Sequence, residues 1–258
     1  MIRWERRGAI GVAVIDRTER RNALDASLCD DLRGCLRDAT DLRAVVIGGA
    51  GDKAFCAGAD LGRRAADAAG GLEHGGGDTF RPAFEALLDA IVDHSAPVIA
   101  AVNGAALGAG MQLAVACDLR VVAPNATFGI PAARLGVMLS AANIARLAML
   151  VGQATARDLL LSARTLTIDE ADRVGLVQRR ADDALEASYA LGEEIAALAP
   201  LSVSAHKRAV NLVAAAMAAG EDARDEMTQL EVQAFASDDL REGLSAFAER
   251  RTPTFEGH

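Results

Sequence analysis

Lys53-Ala54-Phe55-Cys56-Ala57-Gly58-Ala59-Asp60-Leu61 and Asn103-Gly104-Ala105-Ala106-Leu107-Gly108-Ala109-Gly110-Met111-Gln112-Leu113 are the two stretches on which the reading of this chain turns. Each follows an apolar run, Ala44–Ile47 and Pro97–Val102, that reads as a short buried strand. Both place small residues where a strand has just ended, so the backbone N–H groups stay open to a ligand. A buried helix is expected over Ala109–Ala116. Its first N–H groups have no intrahelical acceptor, and its positive dipole end points outward. Two N–H groups from separate segments can converge on one oxygen and stabilise charge developing on a carbonyl. Taken alone, either segment reads more readily as a tight turn with close helix packing.

Outward from these segments the chain alternates. Ala9–Ile15 is rich in Val and Ile and predicts a strand. Asp16–Arg21 is a polar turn. Asp25–Ala39 carries Leu28, Leu32, Cys35, Leu36 and Ala39 at helical spacing. A helix is expected over Arg81–Asp93 and a strand over Leu119–Val122. Strands alternating with helices imply an α/β architecture. Gly70–Gly77 holds five glycines, whose high backbone entropy predicts a mobile loop, and it lacks the Lys-Ser/Thr pair of a phosphate loop. Beyond Pro131 the segments Ala141–Leu150, Ala154–Leu161, Asp182–Leu198, Ser202–Ala219 and Glu221–Ala236 read helical. The change of character near Gly175–Arg180 divides the chain into an α/β core over 1–178 and a helical region over 179–258. The latter is expected to pack on its own core or on a neighbour.

Composition excludes several classes. The chain has 258 residues, 51% hydrophobic and 24% charged, with a formal net charge of -9. No basic stripe of a nucleic-acid binder is present. Aromatics make up only 3%, so Ala, Val and Leu build the core, and subunit contact would help such a chain. Cys29, Cys35, Cys56 and Cys117 form no metal-ligand spacing, nor do His74, His94, His206 and His258. The opening Met1–Arg7 lacks the apolar region of a signal peptide, and no apolar run could span a bilayer. These features predict a cytoplasmic protein with reduced cysteines.

The two segments together resemble the FxAGxDL and NGxxxGxGxxL segments of the crotonase (enoyl-CoA hydratase/isomerase) superfamily. Further similarity lies in Arg20-Arg21-Asn22-Ala23-Leu24, Ala116-Cys117-Asp118-Leu119-Arg120, Ala171–Val177 and Asp238–Phe247. The resemblance covers nearly the whole chain. It implies a spiral of ββα repeats, a helical C-terminal trimerisation region, and a homotrimer or dimer of trimers. It also implies an acyl-CoA or enoyl-CoA ligand, so coenzyme A enters with the ligand and no separate cofactor or metal is expected. On this resemblance the oxyanion donors are the N–H groups of Ala59 and Ala109. Ala57, Asp60 and Leu61 would line the adenine and pantetheine path, with Arg21 and Lys53 toward the coenzyme. Phe247 and Arg250 match positions that reach a neighbour's coenzyme in some members. Lys53 and Arg250 read equally as solvated surface charges.

The hydratase pattern is then interrupted. The resemblance places two glutamates for acid and base at positions that hold Gln112 and Ala132 here. An amide has no useful basicity and a methyl group has none. Other members carry a carboxylate where Ser140 stands. Asp60 is structural in the family. Glu73, His74 and Asp78 are loop residues that could swing inward. Val137, Met138, Leu139 and Ile144 are expected to shape an apolar acyl pocket. Three readings follow: a fatty acyl-CoA binder with weak or no hydratase activity, serving lipid metabolism; an active hydratase or isomerase with a non-standard base; and a thioesterase or protease using Cys56 or Ser140.

Overall fold

Three consecutive strand–strand–helix units form the centre of the chain, each sending its first strand to one sheet and its second to another. The computed structural model describes residues 1–62, 79–217, 232 and 236–254. The expected loop over 70–77 and most of the expected helix over 221–236 lie outside the described residues. The units are β3 (Ala44–Gly49), β4 (Ala54–Cys56) and α2 (Phe80–Asp93); β5 (Val98–Val102), β6 (Ala105–Leu107) and α3 (Ala109–Ala116); and β7 (Leu119–Val122), β8 (Thr127–Gly129) and α4 (Ala141–Ser162). Ahead of them come β1 (Ile2–Arg7), β2 (Ile10–Ile15) and α1 (Ala26–Arg37).

The large sheet runs β1-β2-β3-β5-β7-β10, where β10 is Arg179–Arg180, and is parallel except for the β1–β2 hairpin. The small sheet runs β4-β6-β8-β9, where β9 is Thr165–Thr167 and pairs antiparallel. The repeating units thus lay down two parallel layers in step, the α/β arrangement that the alternation predicts.

The central strands β2, β3 and β5 are buried along almost their whole length. Covered on both faces, they read as continuous apolar runs rather than alternations. Their period of two still divides the core. Ile10, Val12 and Val14 face α6 (Ala184–Ala196), together with Ala44, Val46 and Ile99. Ala13, Ile15, Val45 and Ile47 face the other way, into the larger cluster with α1, α2 and α3. Helix α6 therefore completes the large sheet from beyond residue 178.

Six strands escape the sequence reading. β4, β6, β8 and β9 are three residues long and β10 is two, too short to display a period. The longer β1 is an edge strand in which Ile2 and Trp4 alternate with exposed residues. The two helices expected around residue 152 follow one another within α4, separated by Gly152, whose φ 76° and ψ 154° are not helical. Short helix α5 (Ile168–Arg173) starts with a reciprocal cap between Thr167 and Glu170. Helix α7 (Pro200–Met217) is laced to the end of α2, where Lys207 Nζ meets Asp118 at 2.8 Å and the carbonyls of Ile91 and Ala96. The last described helix, α8 (Asp238–Glu249), opens on Ser237, which accepts from the Leu240 N–H.

Arg120 is buried with no carboxylate bonded to it among the described residues. Its guanidinium donates to the carbonyls of Leu176 (2.7 Å), Ala114 (3.1 Å) and Cys117 (2.7 Å), and burial lowers its pKa to about 10. It caps the C-terminal end of α3, where a cation complements the helix dipole. Arg120→Met strands those carbonyls, each costing about 1–3 kcal/mol when unsatisfied. The expected result is a loss of about 3 kcal/mol in urea unfolding, with the midpoint shifted and the slope unchanged.

Candidate functional site

The loop after the short 3-10 turn Thr18–Arg20 holds the first of the two segments in place. Asn22 sits in the left-handed region (φ 58°), where asparagine is tolerated, and is buried. Its amide donates to the carbonyls of Ala50 (3.0 Å) and Ala54 (2.7 Å). Arg17 reaches Asp60 at 2.8 Å and Asp25 at 3.4 Å, tying the loop to the segment's end. Leu24 then bridges Ala59 in parallel: the Leu24 N–H donates to Gly58 O (2.8 Å), and the Asp60 N–H donates to Leu24 O (2.7 Å). In such a bridge the middle residue turns its own N–H to the opposite side. The Ala59 N–H consequently points away from Leu24.

The second segment meets the first at close range. A side chain on Gly110 would overlap the carbonyl of Cys56, so the first turn of α3 lies directly on β4. Gly108 adopts φ 55° and ψ -116°, outside the range of ordinary residues, and turns the chain from β6 into α3. Ala109 is the first residue of that helix, so its N–H has no intrahelical acceptor. A Cβ on Gly58 would lie only 3.6 Å from the Ala109 nitrogen. The donors of Ala59 and Ala109 thus flank one glycine contact, and both residues line a single cavity of about 640 Å³.

That cavity collects most of the residues singled out in the sequence. Ala57, Asp60 and Leu61 line it beside Ala59, and Gln112 lines it beside Ala109. Ala132, Ser140, Arg21 and Phe247 also belong to its wall. Lys53 and Arg250 do not. Lys53 is exposed and offers its carbonyl to the Ala105 N–H (3.1 Å), while Arg250 is the exposed left-handed residue that closes α8. Val137, Met138 and Leu139 contribute apolar wall as expected, joined by Phe80, Phe84 and Ile130, whereas Ile144 packs on the core instead. Arg20, Arg21 and Arg134 are exposed lining residues, which puts positive charge at the rim of an acidic protein.

Phe247 reaches the cavity of its own chain. Gly243 of α8 rests on the backbone of Leu135, and the backbone around Leu240 rests on Gly136. The last described helix therefore lies across the turn Ala132–Leu135.

The polar groups of the wall are few. Gln112 is half-buried, with Nε2 3.4 Å from the Gly108 carbonyl. Asp60 is engaged by Arg17. Ser140 caps α4 and donates to Glu85 Oε2 at 3.2 Å, and Glu85 itself lines the cavity. Sequence reasoning passed over Glu85 as one polar position on an amphipathic helix. Its signal is tertiary, carried by partners 55 and 58 residues away. Glu73, His74 and Asp78 lie outside the described residues.

Cys56 does not suit a nucleophile. It is wholly buried, and burial pushes its thiol up to about 12, against weaker lowering by the Gly58 N–H. Both ring nitrogens of the buried His94 face backbone carbonyls, and His206 is exposed on α7. Among the described residues no group of His, Cys, Asp or Glu could hold a metal ion. No helix among them is long and apolar enough to cross a membrane. At pH 8 the Cys56 thiol should therefore stay protonated, because the folded-state value lies far above that pH. Mass spectrometry after iodoacetamide treatment should find Cys56 unmodified in native protein and alkylated after unfolding in urea; alkylation at the rate of free cysteine would show a reactive thiolate.

Comparison with known proteins identifies the family. The family model described as Enoyl-CoA hydratase/isomerase matches residues 5–258. The chain is 39% identical over 252 residues to "Probable enoyl-CoA hydratase echA6" of Mycobacterium bovis, covering 94% of each protein. It is 32% identical over 260 residues to the short-chain-enoyl-CoA hydratase of Clostridium acetobutylicum, covering 96% of this chain and 94% of that one. The crystal structure of carnitinyl-CoA hydratase from Mycobacterium avium superimposes with a TM-score of 0.82 at 33% identity, over 100% of this chain and 98% of the other. With two backbone donors, one shared cavity and a match along almost its whole length, the chain belongs to the enoyl-CoA hydratase/isomerase family, within the crotonase superfamily.

Proposed function

We propose that this protein binds fatty acyl-CoA thioesters, with the thioester oxygen accepting hydrogen bonds from the Ala59 and Ala109 N–H groups, and that it hydrates enoyl-CoA weakly or not at all. The observation that carries this reading is the pair of backbone donors on an apolar cavity whose positions 112 and 132 hold Gln and Ala. Hydration requires one group to activate water and another to protonate the α-carbon. Neither side chain at these positions serves, although the binding apparatus is retained. The rim arginines complement the coenzyme's phosphates by charge and by paired hydrogen bonds. Ala57, Asp60 and Leu61 border the path of its adenine and pantetheine. The wall of Phe84, Ile130, Met138 and Leu139 suits an aliphatic tail. On this reading the protein serves acyl-CoA and lipid metabolism. A second reading, turnover through a non-standard base, is favoured by one observation, the Glu85 carboxylate in the same cavity.

Self-association belongs to the same proposal. Helix α7 leaves Leu201, Val210, Leu212 and Val213 largely exposed, more apolar surface than one helix normally offers to water. A homotrimer, alone or paired into a hexamer, covers it.

Calorimetric titration with palmitoyl-CoA should give saturable binding, while the matching 2-enoyl-CoA keeps its conjugated absorbance. Ala109→Pro removes the donor at a helix position that tolerates proline and should weaken binding about tenfold, the value of one hydrogen bond. The double change Gln112→Glu, Ala132→Glu should raise hydration above the wild-type rate. Hydration by the wild-type protein, abolished by Ala109→Pro, would overturn the binder in favour of an enzyme. Light scattering should report a trimer or a multiple of it, and Val210→Asp with Val213→Asp should reduce that mass to the monomer's.

A further inference from the structure

Helices α2 and α4 face each other across one edge of the cavity, joined by a ladder of polar side chains. Glu85 and Asp89 stand one turn apart on α2; Asn143 and Arg146 stand one turn apart on α4. Arg146 Nη2 donates to Asp89 Oδ1 at 2.8 Å, and its Nη1 donates to Asn143 Oδ1 at 2.8 Å. With Oδ1 so engaged, the Asn143 amide must direct Nδ2 outward, and this group donates to Glu85 Oε1 at 2.9 Å. Ser140 Oγ donates to the other oxygen, Oε2, at 3.2 Å. Each oxygen of the Glu85 carboxylate thus has its own donor, in a ladder anchored on a nearly buried amide; Asn143 is 3% exposed.

Packing alone gives no reason for this. An apolar residue at 143 would join the two helices without needing any partner, whereas a buried amide destabilises unless every polar atom is satisfied. The ladder fixes the orientation of one carboxylate, and that carboxylate lines the same cavity as Ala59 and Ala109. From this juxtaposition we infer that Glu85 is the acid–base group of the cavity, with Ser140 and Asn143 as its positioning residues. The inference rests on the acyl-thioester reading above. The step balances with a single carboxylate. Glu85 takes a proton from the α-carbon, the C–H electron pair moves into the thioester carbonyl, and the enolate oxygen rests on the Ala59 and Ala109 N–H groups. Glu85 then returns the proton to the α-carbon, or to the γ-carbon when the acyl chain carries a 3,4 double bond, which becomes the conjugated 2,3 double bond. No water, oxidant or second base is consumed, so the chemistry does not call on Gln112 or Ala132.

The test is exchange in deuterated water. Palmitoyl-CoA incubated with the protein should gain deuterium at the α-carbon, read by mass spectrometry, while calorimetry on the same sample reports binding. Glu85→Gln should lower exchange about 100-fold or more, the usual range for an acid–base group, with the dissociation constant changed less than about threefold. Asn143→Leu keeps the volume and removes the ladder. It should reduce exchange with little effect on affinity, a split that loss of folding would not produce. Wild-type protein that binds palmitoyl-CoA but exchanges no α-proton overturns the role of Glu85 and leaves the binder intact. Exchange surviving in Glu85→Gln overturns it as well, since the base then lies elsewhere. Absence of binding in the wild type defeats the thioester reading itself.

Discussion

Two backbones cross at the floor of the cavity with no side chain between them, and the site follows from that crossing. The carbonyl of Cys56 occupies the space a side chain on Gly110 would need, and Gly58 stands against the nitrogen of Ala109. Contact this close sets β4 against the first turn of α3, so the N–H groups of Ala59 and Ala109 are aimed by main chain rather than by rotamers. Pre-oriented donors of this kind do not have to reorganise when a ligand oxygen arrives. The Leu24 bridge supplies the other half of the constraint, because it uses the neighbours of Ala59 and leaves that residue's own N–H turned away from Leu24.

The same crossing explains how the wider fold is organised around α3. Its N-terminal end faces the cavity, and its C-terminal carbonyls are closed by Arg120. Positive charge at that end aligns with the helix dipole. Arg120 also ties α3 to Leu176, and Lys207 ties α7 to Asp118 in the turn that follows α3. The C-terminal helices are thus connected to the element that begins at Ala109. Helix α8 reaches the site from another side and lends Phe247 to the cavity of its own chain.

How much of this the sequence discloses depends on the range of each interaction. The long buried strands, the capped helices and the two glycine-bearing segments are local, and they are legible because periodicity, caps and small residues leave marks over a few positions. Three-residue strands leave none. The small sheet therefore surfaces only through its pairing, as when β8 meets β6 on one side and β9 on the other. Arg17 reads as an ordinary surface charge in the sequence, yet it joins Asp25 to Asp60. Glu85 is the sharpest instance. Nothing near it in the chain marks it, and its partners lie on a helix two units later.

The chemistry available to the cavity is set by the number of groups it can bring to a carbonyl-activated carbon. A hydratase must manage water and carbon at once, which takes two tuned side chains. Gln112 and Ala132 supply neither a base nor an acid. A single oriented carboxylate changes the count to one. Hydration must also position and activate a water molecule, whereas one carboxylate is enough to carry a proton between two positions of the same substrate, because each step regenerates the group used in the other. The ladder from Asp89 through Arg146 and Asn143 to Glu85 has the form such a proton shuttle needs. It ends on a carboxylate in the cavity and begins on an ion pair whose Asp89 end is exposed. Stability offers little reason to keep such a ladder, since buried polar networks rarely outperform apolar packing.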